Sequence, residues 1–189
     1  MKILIASTPA TGHINPMFSL GRILVNAGHQ VVGLSANAMR DRIEEAGAIF
    51  CPFPPGADLD FRDVDAVFPE RKNIPVGPEQ LLFALQRAFI EPLTAQYEGL
   101  KAVLRDFPAD VIFGDNLFLG VLPMLLGPRS DRPPIILCGP SFLHCQRDDG
   151  APHFAGLPPA RDEAQSQEYA AIARAHDEAV YEPAAQSLD

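Results

Sequence analysis

The first 53 residues alternate between short apolar runs and stretches of helical periodicity. That alternation limits the chain to one kind of fold. Residues 2–7 (KILIAS), 30–35 (QVVGLS) and 48–53 (AIFCPF) are apolar runs of strand length. Runs of this kind suit strands buried on both faces. Between the first two, residues 17–27 carry Phe18, Leu20, Ile23, Leu24 and Ala27 at helical spacing, and Gly28 closes the helix. A second helix is expected over 38–46, ended by Gly47. Strands and helices joined this tightly predict a parallel sheet with right-handed crossovers. Two further strands are read at 110–115 (DVIFGD) and 134–138 (PIILC). The expected fold is therefore α/β, a Rossmann-like open parallel sheet of order 3-2-1-4-5, with helices on both faces.

The connections carry their own signals. Residues 8–15 read as a loop, with Asn15 as helix N-cap and Pro16 at the first helical position. Residues 54–77 form a long Pro-rich loop, of a length that usually marks a functional or mobile segment. A long helix is expected over 78–106, kinked near Pro92, and a short apolar one over 118–126. From about Ala151 the composition turns polar, and 160–188 has high helix propensity but a thin apolar face. The expected organisation is one domain over 1–160 and a polar helical tail or linker over 161–189.

Charge and cysteine content narrow the partners. The formal net charge of −9 argues against nucleic acid or an anionic membrane, which select basic surfaces. The three cysteines form no CxxC and leave an odd one over, so reduced thiols are expected. Residues 1–7 are too short for a signal-peptide core, and no apolar run approaches the roughly 20 residues of a membrane span. A cytoplasmic location is the expectation. His and Cys are too scattered for a metal site.

In an open parallel sheet, ligands bind beyond the carboxyl ends of the strands where strand order reverses. The first strand leads into Thr8-Pro9-Ala10-Thr11-Gly12-His13, and the fourth ends at Gly114-Asp115-Asn116. If the order is 3-2-1-4-5, strands one and four are neighbours and His13 and Asp115 reach the same crevice. Imidazole is the side chain best suited to take a hydroxyl proton near neutral pH. A carboxylate on its other nitrogen fixes the tautomer, and a helix start nearby favours the neutral ring. Gly12 removes a side chain where a substrate approaches. Plainer roles stay open: a capping or surface histidine, and an aspartate that caps the next helix. Several other chemistries lack their motifs. There is no G-x-G-x-x-G, no acid after the second strand for a ribose, no P-loop and no G-x-S-x-G elbow.

The opening MKILIASTPATGHINPMFSLGRILVNAGHQVVGLSA resembles that of GT-B glycosyltransferases of family 1, the UDP-glucuronosyl and macrolide glycosyltransferase type. The likeness lies in the apolar strand, the G-H-x-x-P turn (Gly12, His13, Pro16) and the Ala27-Gly28-His29 turn. PADVIFGDNLFLGVLPMLL resembles the segment holding the acidic partner of that family's histidine. The resemblance covers about residues 1–160. It implies an acceptor-binding domain whose His13 deprotonates the acceptor hydroxyl and whose Asp115 orients His13. Attack would be a single inverting displacement without metal or resident cofactor. The co-substrate would be a UDP- or dTDP-linked sugar, and the acceptor a small apolar molecule.

Candidate acceptor-pocket residues are Gly12, then Phe83 and Phe89 on a helix that borders the same sheet edge in that family, and Phe142 and His144, which follow the fifth strand. Phe83 and Phe89 equally continue a core stripe with Leu82, Leu85 and Ala88. The family's donor domain, with its Trp-containing diphosphate motif, is absent from these residues, which contain no Trp. A truncated, by itself inactive acceptor half is expected, open to a donor-domain partner or to homo-oligomerisation. A non-catalytic small-molecule-binding module or split-enzyme subunit is the alternative. A GT-B sugar-nucleotide epimerase stands third.

Overall fold

The computed structural model describes residues 1–140, 145 and 147–188. The chain divides into two compact units, Met1–Glu70 with Glu91–Ser141, and Arg71–Ile90 with Phe142–Asp189.

The first unit is built on five parallel strands: β1 (Lys2–Ala6), β2 (Gln30–Ser35), β3 (Ile49–Pro52), β4 (Val111–Asp115) and β5 (Ile135–Cys138). Their order is β3-β2-β1-β4-β5. Ile3 pairs with Val31 on one side and Val111 on the other, so β1 is central. The chain steps outward from β1 to β3, then returns to the far side for β4 and β5. The order therefore reverses between β1 and β4.

Alternation along β1 feeds two cores. Ile3 and Ile5 face Ile14, Met17 and Phe18 of α1 (Thr11–Asn26) and Ile43 of α2 (Arg40–Glu44). Leu4 and Ala6 face the other layer, with Leu100 of α5 (Leu93–Asp106), Phe118 and Val121. Phe53 and Phe118 stack there at 5.7 Å between ring centres. The α1 layer sits close to the sheet because β2 offers Gly33. A Cβ at Gly33 would stand 2.6 Å from Phe18 Cζ and from Ile43 Cγ2. The unit also holds the short helices α3 (Val64–Val67) and α6 (Leu122–Leu126). Within the Pro-rich connection, Asp58 accepts both the Asn37 N–H (2.7 Å) and Asn37 Nδ2 (2.6 Å).

Sequence and structure part at the start of α1. The helix begins at Thr11, with Ala10 rather than Asn15 in the cap position, and Pro16 lies inside it. Asn15 uses its side-chain oxygen on Arg42 Nε instead, at 2.9 Å. Pro16 deprives the Gly12 carbonyl of its intrahelical donor. Gly12 is exposed, so water can serve that carbonyl. Residues 11–15 of the stretch read as loop thus belong to the start of the helix, while 8–10 stay outside it.

The second unit is helical: α4 (Pro78–Ala84), α7 (Glu163–His176) and α8 (Glu182–Gln186), with π-helical turns at Leu85–Ile90 and Asp177–Tyr181. Its buried residues are few and mostly small, among them Ala88, Ala151, Tyr169, Val180 and Ala184. Asp162 caps α7 by accepting the Gln165 N–H at 2.9 Å. The single long helix expected over 78–106 is three pieces, broken at Glu91 and Pro92. Among the described residues no helix is long and apolar enough to cross a membrane.

Candidate active site

The site grows from the carboxyl ends of β1 and β4. Asp115 is the last residue of β4 and is fully buried. A buried carboxylate is costly unless donors surround it. Here four do. Thr8, two residues beyond β1, gives its backbone N–H to Asp115 Oδ2 at 2.5 Å and its hydroxyl to Oδ1 at 3.0 Å. The Leu117 N–H reaches Oδ1 at 2.9 Å. His13 Nδ1 completes the set at 2.9 Å from Oδ1.

His13 is the third residue of α1, so the helix start aims its ring at the end of β4. Its side chain is 14% exposed, against none for Asp115. With Nδ1–H donated to the carboxylate, the lone pair belongs to Nε2, the nitrogen available to a hydroxyl. Beside it, a Cβ built on Gly12 meets no atom within 4 Å, which leaves open space at the helix start. Chemically the arrangement is an oriented imidazole next to open space.

Thr8 is the residue that sequence reasoning missed. A hydroxyl at a strand end is a weak signal by itself, and its partner lies 107 residues away in the chain. Ser35 belongs to the same layer: its hydroxyl donates to the Ser7 carbonyl at 2.8 Å, locking β2 to the loop that carries Thr8. Cys138, paired with Asp115 in register, has its thiol pKa pushed up, first by burial and then by the Asp115 charge. It is a poor nucleophile in this setting.

The remaining sequence-derived residues fall elsewhere. Phe83 lies on α4 and Phe89 in the π turn after it, both half-buried and both in the helical unit rather than the sheet unit that holds His13. Phe142 and His144 lie outside the described residues. Among the described residues no group of three or more His, Cys, Asp or Glu could hold a metal ion.

This open sheet matches part of the fold of solved GT-B glycosyltransferases. The calicheamicin glycosyltransferase CalG4 matches 93% of the chain over 42% of its own, with a TM-score of 0.56 and 21% identity. SsfS6 from Streptomyces sp. SF2575, complexed with thymidine diphosphate, matches 74% of the chain over 38% of its own, with a TM-score of 0.55 and 21% identity. No family model matches the chain. Curated relatives do. UDP-glucosyltransferase B1 of Starmerella bombicola is 31% identical over 79% of the chain and 36% of its own length. 4'-Demethylrebeccamycin synthase of Lentzea aerocolonigenes is 31% identical over 84% of the chain and 37% of its own. UDP-glycosyltransferase 2 of Phaeomoniella chlamydospora is 31% identical over 91% of the chain and 40% of its own. The chain belongs to the UDP-glycosyltransferases of GT-B architecture. It spans well under half the length of the curated relatives it matches.

Proposed function

We propose that this chain supplies the acceptor side of an inverting sugar transfer from a nucleotide sugar, with His13 as general base. One observation carries the proposal: His13 Nδ1 stands 2.9 Å from a carboxylate that three other donors already hold in place. In the reaction, Nε2 takes the proton of an acceptor hydroxyl as its oxygen bonds to the anomeric carbon. The bond from that carbon to the diphosphate breaks, and the nucleoside diphosphate leaves with the electron pair. Attack opposite the leaving group inverts the centre. Asp115 stabilises the imidazolium as it forms. The sugar donor, UDP- or dTDP-linked, is a co-substrate, and we place its binding on a second domain outside these residues. The acceptor we infer is a small, largely apolar alcohol or phenol.

The test joins the chain to the donor-binding part of a UDP-glycosyltransferase and compares it with its His13→Ala form. Turnover should fall by roughly 10²–10⁴-fold, the usual worth of a positioned base. Equal turnover in the two proteins would remove His13 from the reaction.

A further inference from the structure

The sheet unit holds a second concavity that the proposed reaction does not use. Helix α5 precedes β4, so its final turns lie by the amino ends of the strands, opposite the edge that carries Asp115. There the Asp110 N–H donates to the Lys2 carbonyl at 2.8 Å. Along one face of α5, Tyr97, Lys101, Leu104 and Arg105 meet α6 and its connection to β5 across a cleft of about 510 Å3. That size suits a small organic molecule.

The apolar part of the wall is made by Leu104, Pro123, Met124 and the Tyr97 ring. The charges are unequally satisfied. Lys101 is taken up by Glu98 at 2.8 Å and lies over the Tyr97 ring at 4.6 Å. Arg105 and Arg132 form no ion pair among the described residues. Arg132 has one long bond, Nη1 to the Pro133 carbonyl at 3.4 Å, and its Nε is buried without a partner. Buried polar atoms are normally bonded, so this Nε marks an unmet demand for an acceptor. Asp131 also lines the cleft, but its Oδ1 accepts the Ser130 hydroxyl at 2.7 Å. With Lys101 and Glu98 cancelling, the lining keeps two guanidinium groups and one carboxylate. The cleft is net positive on a chain of net charge −9.

We propose that this cleft binds a small organic anion, a carboxylate head on an apolar body. The head meets the forks of Arg105 and Arg132, which match a planar carboxylate. The body lies on Leu104, Pro123 and Met124. The site is independent of the His13–Asp115 pair, and its test needs no sugar donor.

The experiment titrates decanoate into the 189-residue chain by calorimetry, with decanol as the neutral isostere and inorganic phosphate as the head-only control. Decanoate should bind saturably at one site, and decanol and phosphate about tenfold or more weaker. Arg105→Gln with Arg132→Gln should lower decanoate affinity by about tenfold or more while the thermal transition stays in place. The Met124 methyl carbon resonance of the unaltered chain should move with the same saturation curve, a readout that does not depend on any variant folding. Absence of saturable decanoate binding would overturn the proposal. So would decanol binding as tightly, a stationary Met124 methyl, or binding that survives the arginine changes and disappears in His13→Ala.

Discussion

The sheet unit and the helical unit of this chain are stabilised in different ways. In the sheet unit, residue after residue of β1 is buried, and neighbours alternate between two cores. Large side chains do the packing: Phe18, Ile43, Leu100 and Phe118. In the helical unit, α7 buries only Tyr169, and the π turn after it contributes Val180. Small residues such as Ala88 and Ala184 are among those buried there. Aromatic contacts replace a deep core. His176 lies 4.0 Å from the Phe154 ring and 5.2 Å from the Tyr181 ring. A buried period-two pattern therefore gives a unit dominated by hydrophobic transfer. A thin amphipathic face leaves a unit sensitive to polar and ring contacts.

The strongest way to break this contrast is Leu4→Ala. Leu4 is fully buried at the centre of the sheet, so the loss should be about 2–5 kcal/mol. Native-state hydrogen exchange would read it. Amides of β1, β2 and β4 should lose protection while those of α7 keep theirs; equal loss in both units would show that the contrast is not energetic.

A smaller effect is expected at the site. Thr8→Val keeps the backbone N–H and the branched shape but removes one of four donors to Asp115. Denaturant unfolding should show a loss of about 1–3 kcal/mol, the cost of a buried acceptor losing a partner, with Thr8→Ser near the unaltered value. If the two variants unfold alike, the hydroxyl is not part of what holds Asp115.

The smallest effect belongs to the helical unit and depends on pH. Burial lowers the His176 pKa; the Asp177 charge opposes that shift and His153 adds to it. A histidine harder to protonate when folded stabilises the fold fully above its unfolded pKa, about 6.5. The contribution is lost as pH falls below that value. Between pH 7.5 and 5.5 the protection of α7 amides should therefore decline, and His176→Phe should flatten the decline. A profile equally steep in that variant would assign the effect to another group.

How much of this was legible in the sequence differs along the chain. The five strands were, because each is an apolar run bounded by Gly, Pro or a polar turn, and the order expected for an open parallel sheet of this kind is the one observed. The meeting of His13 with Asp115 followed from that order, since both stand at strand ends flanking the reversal. The start of α1 was not legible. Asn15-Pro16 is a strong helix-start signal, but the helix already runs from Thr11 through Ile14, which is packed in the core. The π turns were hidden as well: their hydrogen-bond step differs from that of an α-helix by a single residue, too small a change to show in the sequence pattern.

By itself the sequence determined the alternation of strands and helices, the parallel sheet and the strand ends that hold the site. These are consequences of local patterns, which act within a few residues. Only the tertiary structure decided that Thr8 and Leu117 share the Asp115 carboxylate with His13 and that α1 begins five residues before Pro16. It also decided that Arg132 is left with a buried nitrogen and no acceptor. Those outcomes depend on which groups compete for the same space and the same hydrogen bonds once distant segments are brought together, and no local pattern encodes that competition.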